Sequence, residues 1–289
     1  VLPRGAPRDA DEPERASGVG DRIDSIVRGA GRALLNAIPV LERPLQACRG
    51  MYAERYVRAV RWRHNRAHRA PIDPFEVYRV DPDAITHVSK PTGLPRFRRA
   101  GSVMDGDWDR SRIAFVDADV YRAFEARFQE GRPWEDTAFF DRVVSEIEDG
   151  EEPWGCRSRA AFERRCSRLD RLAMSVRDNG FLTQRELAAS NVDDPLERAR
   201  GTLPARILND EVAVDVGRDG ELLYADGRNR LALAKVLDVD TLPVVILRRH
   251  VQWVDAREAI AAYVEGGASV PEPYAGHPDL AFVDDSSAE

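Results

Sequence analysis

Lysine is nearly missing from this chain: of 43 basic residues only Lys90 and Lys235 are lysines, and the rest are arginines. GC-rich coding explains such a skew most simply. Cysteine is also scarce. Cys48, Cys156 and Cys166 leave one over in any pairing scheme and lack the close spacing of a zinc site, so a disulfide framework and a cysteine metal cluster are both excluded. No apolar run approaches membrane-spanning length, and the longest candidate near the start, "ALLNAIPVL", is short and broken by Pro39. The start has no signal-peptide pattern. These absences lead to the expectation of a soluble, cytoplasmic protein. No motif fixes a reaction. What remains is enough for a core: 289 residues, 43% hydrophobic, with acids slightly outnumbering bases for a net charge of −7.

The pattern divides the chain into five stretches. Residues 1–20, rich in Pro, Gly, Arg and acid, read as a disordered lead. Residues 21–70 read as basic amphipathic helices. Ile23, Ile26, Val27, Ala30 and Leu34 share one face, and Leu45, Cys48, Tyr52 and Tyr56 share another. The second helix runs into "RYVRAVRWRHNRAHRAP", with six arginines, two histidines and no acid. Residues 71–168 open on a proline-punctuated connection, "PIDPFEVYRVDPDAI", and are then helix-rich. Tyr121, Phe124 and Phe128 share a face, as do Phe140, Val143, Val144 and Ile147.

From residue 169 to 265 the chain reads as a small mixed-sheet unit, and 266–289 as a disordered acidic tail. The clearest helix, Phe162 to Val176, leads into this unit and stops at "DNG". "EVAVDV" alternates, with Val212, Val214 and Val216 on one face. "GRDG" is a hairpin turn with "ELLYA" as its return strand. "LPVVIL" has the continuous apolar character of a strand covered on both faces. Between them, "DGRNR" opens a helix whose buried face carries Leu233, Val236 and Leu237. The fold class is therefore α+β: a helical amino-terminal region followed by a small mixed sheet.

"DGRNR" poses an electrostatic problem. A helix start carries unpaired N–H groups and partial positive charge, which favours Asp and Glu over two arginines. A bound oxyanion resolves it. Gly227 lets the backbone approach a ligand, the free N–H groups cradle a phosphate, and Arg228 and Arg230 close on it. Asp226 then caps the helix or assists a metal accompanying a nucleotide. The alternative is that both arginines pair with Asp219, Glu221 or solvent. Gly217-Arg218 and Arg249-His250 are candidates for the same end of the sheet.

Two boxes resemble the ParB/sulfiredoxin-like superfamily. "LDRLAMSVRDNGFL" (Leu169 to Leu182) looks like its first box, a helix followed by a glycine turn. "DGRNRLALAKVLDVDTLPVVILRRH" looks like its second, where a strand meets a phosphate-contacting helix N-terminus. The likeness spans about 169–250, and the upstream "GSVMDGDWD" is similar to an element of archaeal proteins that end in this unit. It implies nucleotide or phosphate binding by Asp226, Gly227, Arg228, Asn229 and Arg230, with Mg²⁺ accompanying a nucleotide. Asn229-Arg230 stands where the family usually has His-Arg, so no titratable group is present there. No cysteine lies in the second box, and too little chain follows His250 for a helix-turn-helix. Sulfiredoxin chemistry and a full partition protein are therefore not expected.

Three further candidates stand on composition. Asp107 and Asp109, flanking Trp108 in "GDWD", are a candidate metal pair or, alternatively, part of a turn with Trp108 in the core and both acids solvated. His64 and His68 at i, i+4 are a weak metal pair without a third ligand. Arg55, Arg58, Arg61, Arg63, Arg66 and Arg69 are candidate contacts to a nucleic acid or an acidic protein, or else form a solvated helix face. Two functional readings follow. One is a nucleotide- or phosphate-binding protein, with nucleotide hydrolysis or phosphoryl transfer as the natural reaction if there is one. The other is a non-enzymatic binding protein that uses its basic helix.

Overall fold

The computed structural model describes residues 42–192, 194–196 and 201–286. The expected helix at residues 21–34 and the lead at 1–20 lie outside them. A long helix α1 (Glu42–Ala67) comes first, with Pro44 tolerated in its first turn. Strand β1 (Tyr78–Val80), a short helix α2 (Arg96–Arg99) and strand β2 (Ser102–Met104) follow. Five helices come next: α3 (Asp119–Phe128), α4 (Ala138–Glu148), α5 (Arg159–Asn179), α6 (Gln184–Ala189) and α7 (Leu203–Asp210). The chain then forms β3 (Val212–Val216), β4 (Leu222–Asp226), α8 (Arg228–Val236), β5 (Leu242–His250), α9 (Val251–Glu265) and α10 (Ala281–Ser286). The α+β class is as expected. No helix among the described residues is long and apolar enough to cross a membrane.

The sheet has the order β1-β5-β3-β4, with β2 also pairing β5. β5 is its axis. One edge is taken by β1, antiparallel, over its first half and by β2, parallel, over its second. The other edge pairs in parallel with β3, which joins β4 through the predicted hairpin. Gly217 N–H donates to Glu221 O at 3.0 Å, and Gly220 makes the turn at φ 89°. Both faces are covered. Val212, Val214, Val216, Val244 and Ile246 face the larger core with α3, α4, α5 and α8, while Ala213, Val245 and Leu247 face Val57 of α1 and Ile207 and Leu208 of α7. That explains why "LPVVIL" lacks alternation.

Local signals account for the helix that leads into the unit. Ser158 Oγ accepts the Ala161 N–H at the start of α5, and Gly180 ends it at φ 70°. A capping box of Thr183 and Glu186 restarts the chain as α6.

The structure corrects the division of the chain in three places. The boundary at 168/169 falls inside α5, and one continuous core joins residues from Val80 to Leu280. β1 and β2, which belong to the sheet, come from the segment read as connection and helix. Residues 266–286 are not a disordered tail: Leu280 and Val283 are buried, and Asp279 bonds Arg249, Arg257 and Trp253. A single buried carboxylate between two arginines outweighs the polar composition around it.

Candidate functional site

β4 ends at Asp226 and α8 begins at Arg228, with Gly227 between them in the left-handed region at φ 97°. Its Cα passes close to β3, so an added Cβ would sit 2.9 Å from Val212 Cα. Glycine is required both by the angle and by the contact. The carbonyl of Gly227 accepts from Arg230 N at 3.0 Å and Leu231 N at 3.2 Å, which closes the first turn of α8. Asp226 was expected to cap this helix, but it acts one residue earlier. Its Oδ1 accepts the Gly227 N–H at 2.7 Å, and no side chain caps α8. A carboxylate aimed at the turn cannot also reach the helix N–H groups.

The helix start opens into a cleft of about 330 Å³. Arg96, Trp154, Leu196, Asn209, Asp210 and Tyr224 line it together with Asp226, Gly227, Arg228, Asn229 and Arg230. All five predicted site residues therefore meet at one cavity. The two arginines differ in state. Arg230 pairs with Asp194, and both side chains are largely buried. Its partner is neither Asp219 nor Glu221. Arg228 has no carboxylate partner among the described residues. Its guanidinium lies 5.5 Å from the Trp154 ring centroid, beside Tyr224, and its buried Nε finds no acceptor.

Three further residues mark the cavity. Asn229 is 6% exposed, and its Oδ1 has no hydrogen-bond donor. Trp154 sits at φ 59° and ψ 16°, a conformation that bulky residues rarely adopt. Arg96 braces the opposite wall: its Nε donates to Asp226 Oδ2 at 2.7 Å and its Nη1 to the carbonyls of Leu208 and Glu211 at 3.0 and 2.8 Å. Burial pushes the Asp226 carboxyl up, but Arg96 and the Gly227 N–H outweigh it and hold it below its ordinary value.

Glu211, which follows Asp210 of the cleft wall, is 2% exposed, and its Oε1 accepts the Gln184 N–H at 2.6 Å. Burial raises its carboxyl to about 7, against the opposing effects of that N–H and Arg230 and with help from Asp210 and Asp194.

The other candidates lie elsewhere. Arg218, Arg249 and His250 are at the opposite end of the sheet: Val216 of β3 aligns with Arg249, whereas Asp226 aligns with Ala213. The expectation that they share an end with "DGRNR" is corrected, because β4 runs back antiparallel to β3. There Asp109 is buried and receives Arg218 N at 2.9 Å, Nε at 2.7 Å and Nη2 at 2.8 Å, and Nη2 also reaches Asp107 Oδ1 at 2.9 Å. Burial acts to raise the Asp109 pKa, but Arg218 overrides it and brings it to about 2. With Asp109 so committed, the pair does not fit a metal. No grouping of three or more metal-capable side chains occurs among the described residues, at His64 and His68 or elsewhere.

Trp108 is buried as well, with the Arg248 guanidinium 3.8 Å above its ring. Arg248 in turn shares the fully buried Asp215 with Arg99 and Ser89.

On α1 the rings of His64 and His68 stack at 4.2 Å. Burial, then His68, Arg249 and Arg257, lower the His64 pKa to about 4. Of the six arginines, Arg58, Arg61 and Arg69 are in ion pairs with Glu54, Asp73 and Glu265. Arg55, Arg63 and Arg66 have no acid partner among the described residues and are exposed.

Arg96, Trp154 and Asp194 were not foreseen. The only hint of Trp154 was a lone aromatic between Pro153 and Gly155, a turn rather than a helix face. Arg96 and Asp194 carry no local signal.

No family model matches the chain, and comparison with curated proteins and with solved structures likewise gives no match.

Proposed function

We propose that this chain binds a phosphate-bearing small molecule of the nucleotide kind in the cleft at the start of α8, as the ParB/sulfiredoxin-like resemblance implies. One observation carries the reading. Among the described residues, the uncapped helix N-terminus opens on the same cavity as a guanidinium without an acid partner. In a stable fold such groups are normally satisfied, and an oxyanion would satisfy them together. Arg228 takes the leading role, because Arg230 is held by Asp194. Of the residues expected to form the site, Asn229 supplies no base for nucleotide hydrolysis or phosphoryl transfer and both oxygens of Asp226 are engaged, so the reading proposed is one of binding.

Thermal unfolding with ATP, CTP, GTP, sugar phosphates and inorganic phosphate, with and without Mg²⁺, tests this. A ligand at a hundred times its dissociation constant adds about 2.7 kcal/mol and raises the midpoint by several degrees. The shift should vanish in Arg228→Ala. No shift with any of these compounds would overturn the proposal.

A second reading rests on α1. Among the described residues Arg55, Arg63 and Arg66 lack acid partners, Trp62 beside them is 64% exposed, and these groups suit the phosphates of a nucleic acid or the carboxylates of an acidic protein. Affinity for single-stranded RNA that falls steeply with salt and is lost when these three arginines become Ala would support it. Affinity indifferent to all three would remove it.

A further inference from the structure

Resting on the cleft reading above, we infer that the site is matched to one phosphoryl group on a small molecule. Its ligand class is a phosphomonoester of nucleoside or sugar size, and a nucleoside triphosphate fits it less well. The charge of the walls is the first reason. Of three cleft arginines, Arg96 is neutralised by Asp226 and bonded to two carbonyls, and Arg230 is neutralised by Asp194. Among the described residues that leaves Arg228, aided by roughly half a unit of positive charge at the helix start. The sum meets one phosphoester, which carries about −1.5 to −2 near neutral pH. Each added phosphoryl group would bring negative charge that no further arginine of the cleft is free of its acid to meet.

Volume and shape agree. The cavity of about 330 Å³ lies at the small end of ligand sites, which run from about 300 to 1,000 Å³. Trp154 and Tyr224, beside the Arg228 guanidinium, give the wall an aromatic surface against which a ring next to the phosphate can pack, a contact that inorganic phosphate lacks.

Asp194 sets this preference. Its carboxylate holds the Arg230 guanidinium that a second phosphoryl group would require. Removing the charge from Asp194 returns Arg230 to the cleft and makes longer phosphate chains acceptable.

Calorimetric titration of the full chain tests the inference. The probes are the four ribonucleoside 5′-monophosphates, their triphosphates with and without Mg²⁺, ribose 5-phosphate and inorganic phosphate. At least one monoester should bind ten times or more tighter than its triphosphate, or, for ribose 5-phosphate, than every triphosphate, and likewise tighter than inorganic phosphate. In Asp194→Asn the gap between monoester and triphosphate should close to threefold or less. A triphosphate that binds as tightly as its monophosphate, and loses binding in Arg228→Ala, would overturn the single-phosphate inference while leaving the cleft reading in place. No binding by any probe would overturn both. A folded Asp194→Asn with an unchanged gap would overturn the role of Asp194; if that variant does not fold, the wild-type series decides the ligand class alone.

Discussion

At the carboxyl ends of β3 and β5, Arg218, Arg248 and Arg249 each meet an acid: Asp109, Asp215 and Asp279. At the carboxyl end of β4, Arg228 meets an aromatic ring and no carboxylate among the described residues. Both ends of the sheet looked alike in sequence, each a short run of arginines beside a turn. Buried nitrogens without an acceptor occur at both, but Arg99 Nε and Arg249 Nη1 belong to guanidiniums already bonded to Asp. A cation buried with its acid is a structural device whose removal damages the fold. A cation in an open cleft beside an uncapped helix start has no such structural partner among the described residues, and the proposed binding rests on that difference.

The largest break in the comparison is at Asp215. Changing it to Ala leaves Arg99 and Arg248 buried together without a counter-charge, at an expected cost of about 3–5 kcal/mol in urea unfolding. A loss under about 1 kcal/mol would show that this end is not held by charge.

Glu211→Gln comes next. A carboxyl raised from about 4.5 to about 7 on folding binds more protons in the native state between those values. Stability from this group is therefore present at low pH and lost as pH rises through 7, by about 3 kcal/mol. Gln has no charge to bury, so the variant should gain on the wild type by about that much between pH 4.5 and pH 8. His64, with its pKa lowered to about 4, has the opposite slope: its neutral form favours folding above pH 6.5, and that stability falls away as pH drops toward 4. The comparison of the two proteins at each pH removes it, and a flat difference would contradict the burial of Glu211.

Gly227→Ala should cost about 1–3 kcal/mol, because a side chain there is strained by its angle and must also move β3 at Val212. It should abolish ligand-induced shifts as well. Smallest is Arg228→Ala, which breaks no ion pair among the described residues and should change stability by under about 1 kcal/mol. A larger loss would make Arg228 as structural as Arg248.

Much of this contrast could be read from sequence on one side only. The "DGRNR" turn, the "GRDG" hairpin and the fully covered β5 were legible, because glycine positions and the loss of alternation are local signals. The burial of Arg248, Arg249 and His250 was not, since it depends on Asp215 on a neighbouring strand and on Asp279, thirty positions away in a glycine- and proline-rich segment. β1 and β2 escaped notice because three residues are too few to show a period. The cleft was half legible. Its floor comes from one continuous stretch, but Arg96 and Trp154 line it from two distant segments and Asp194 holds its Arg230 from a third, and only the fold brings them together.

The central claim is that Arg228, alone among the arginines at the two ends of the sheet, faces a ligand. Calorimetric titration with a ribonucleoside monophosphate, on wild type, Arg228→Ala and a control at the opposite end, Arg110→Ala, whose exposed side chain pairs with Asp107 at 3.3 Å, tests it most directly. The account predicts saturable binding that Arg110→Ala retains and Arg228→Ala weakens at least tenfold, with unfolding midpoints within a few degrees. Binding that survives Arg228→Ala unchanged, or no binding to the wild type, would contradict it.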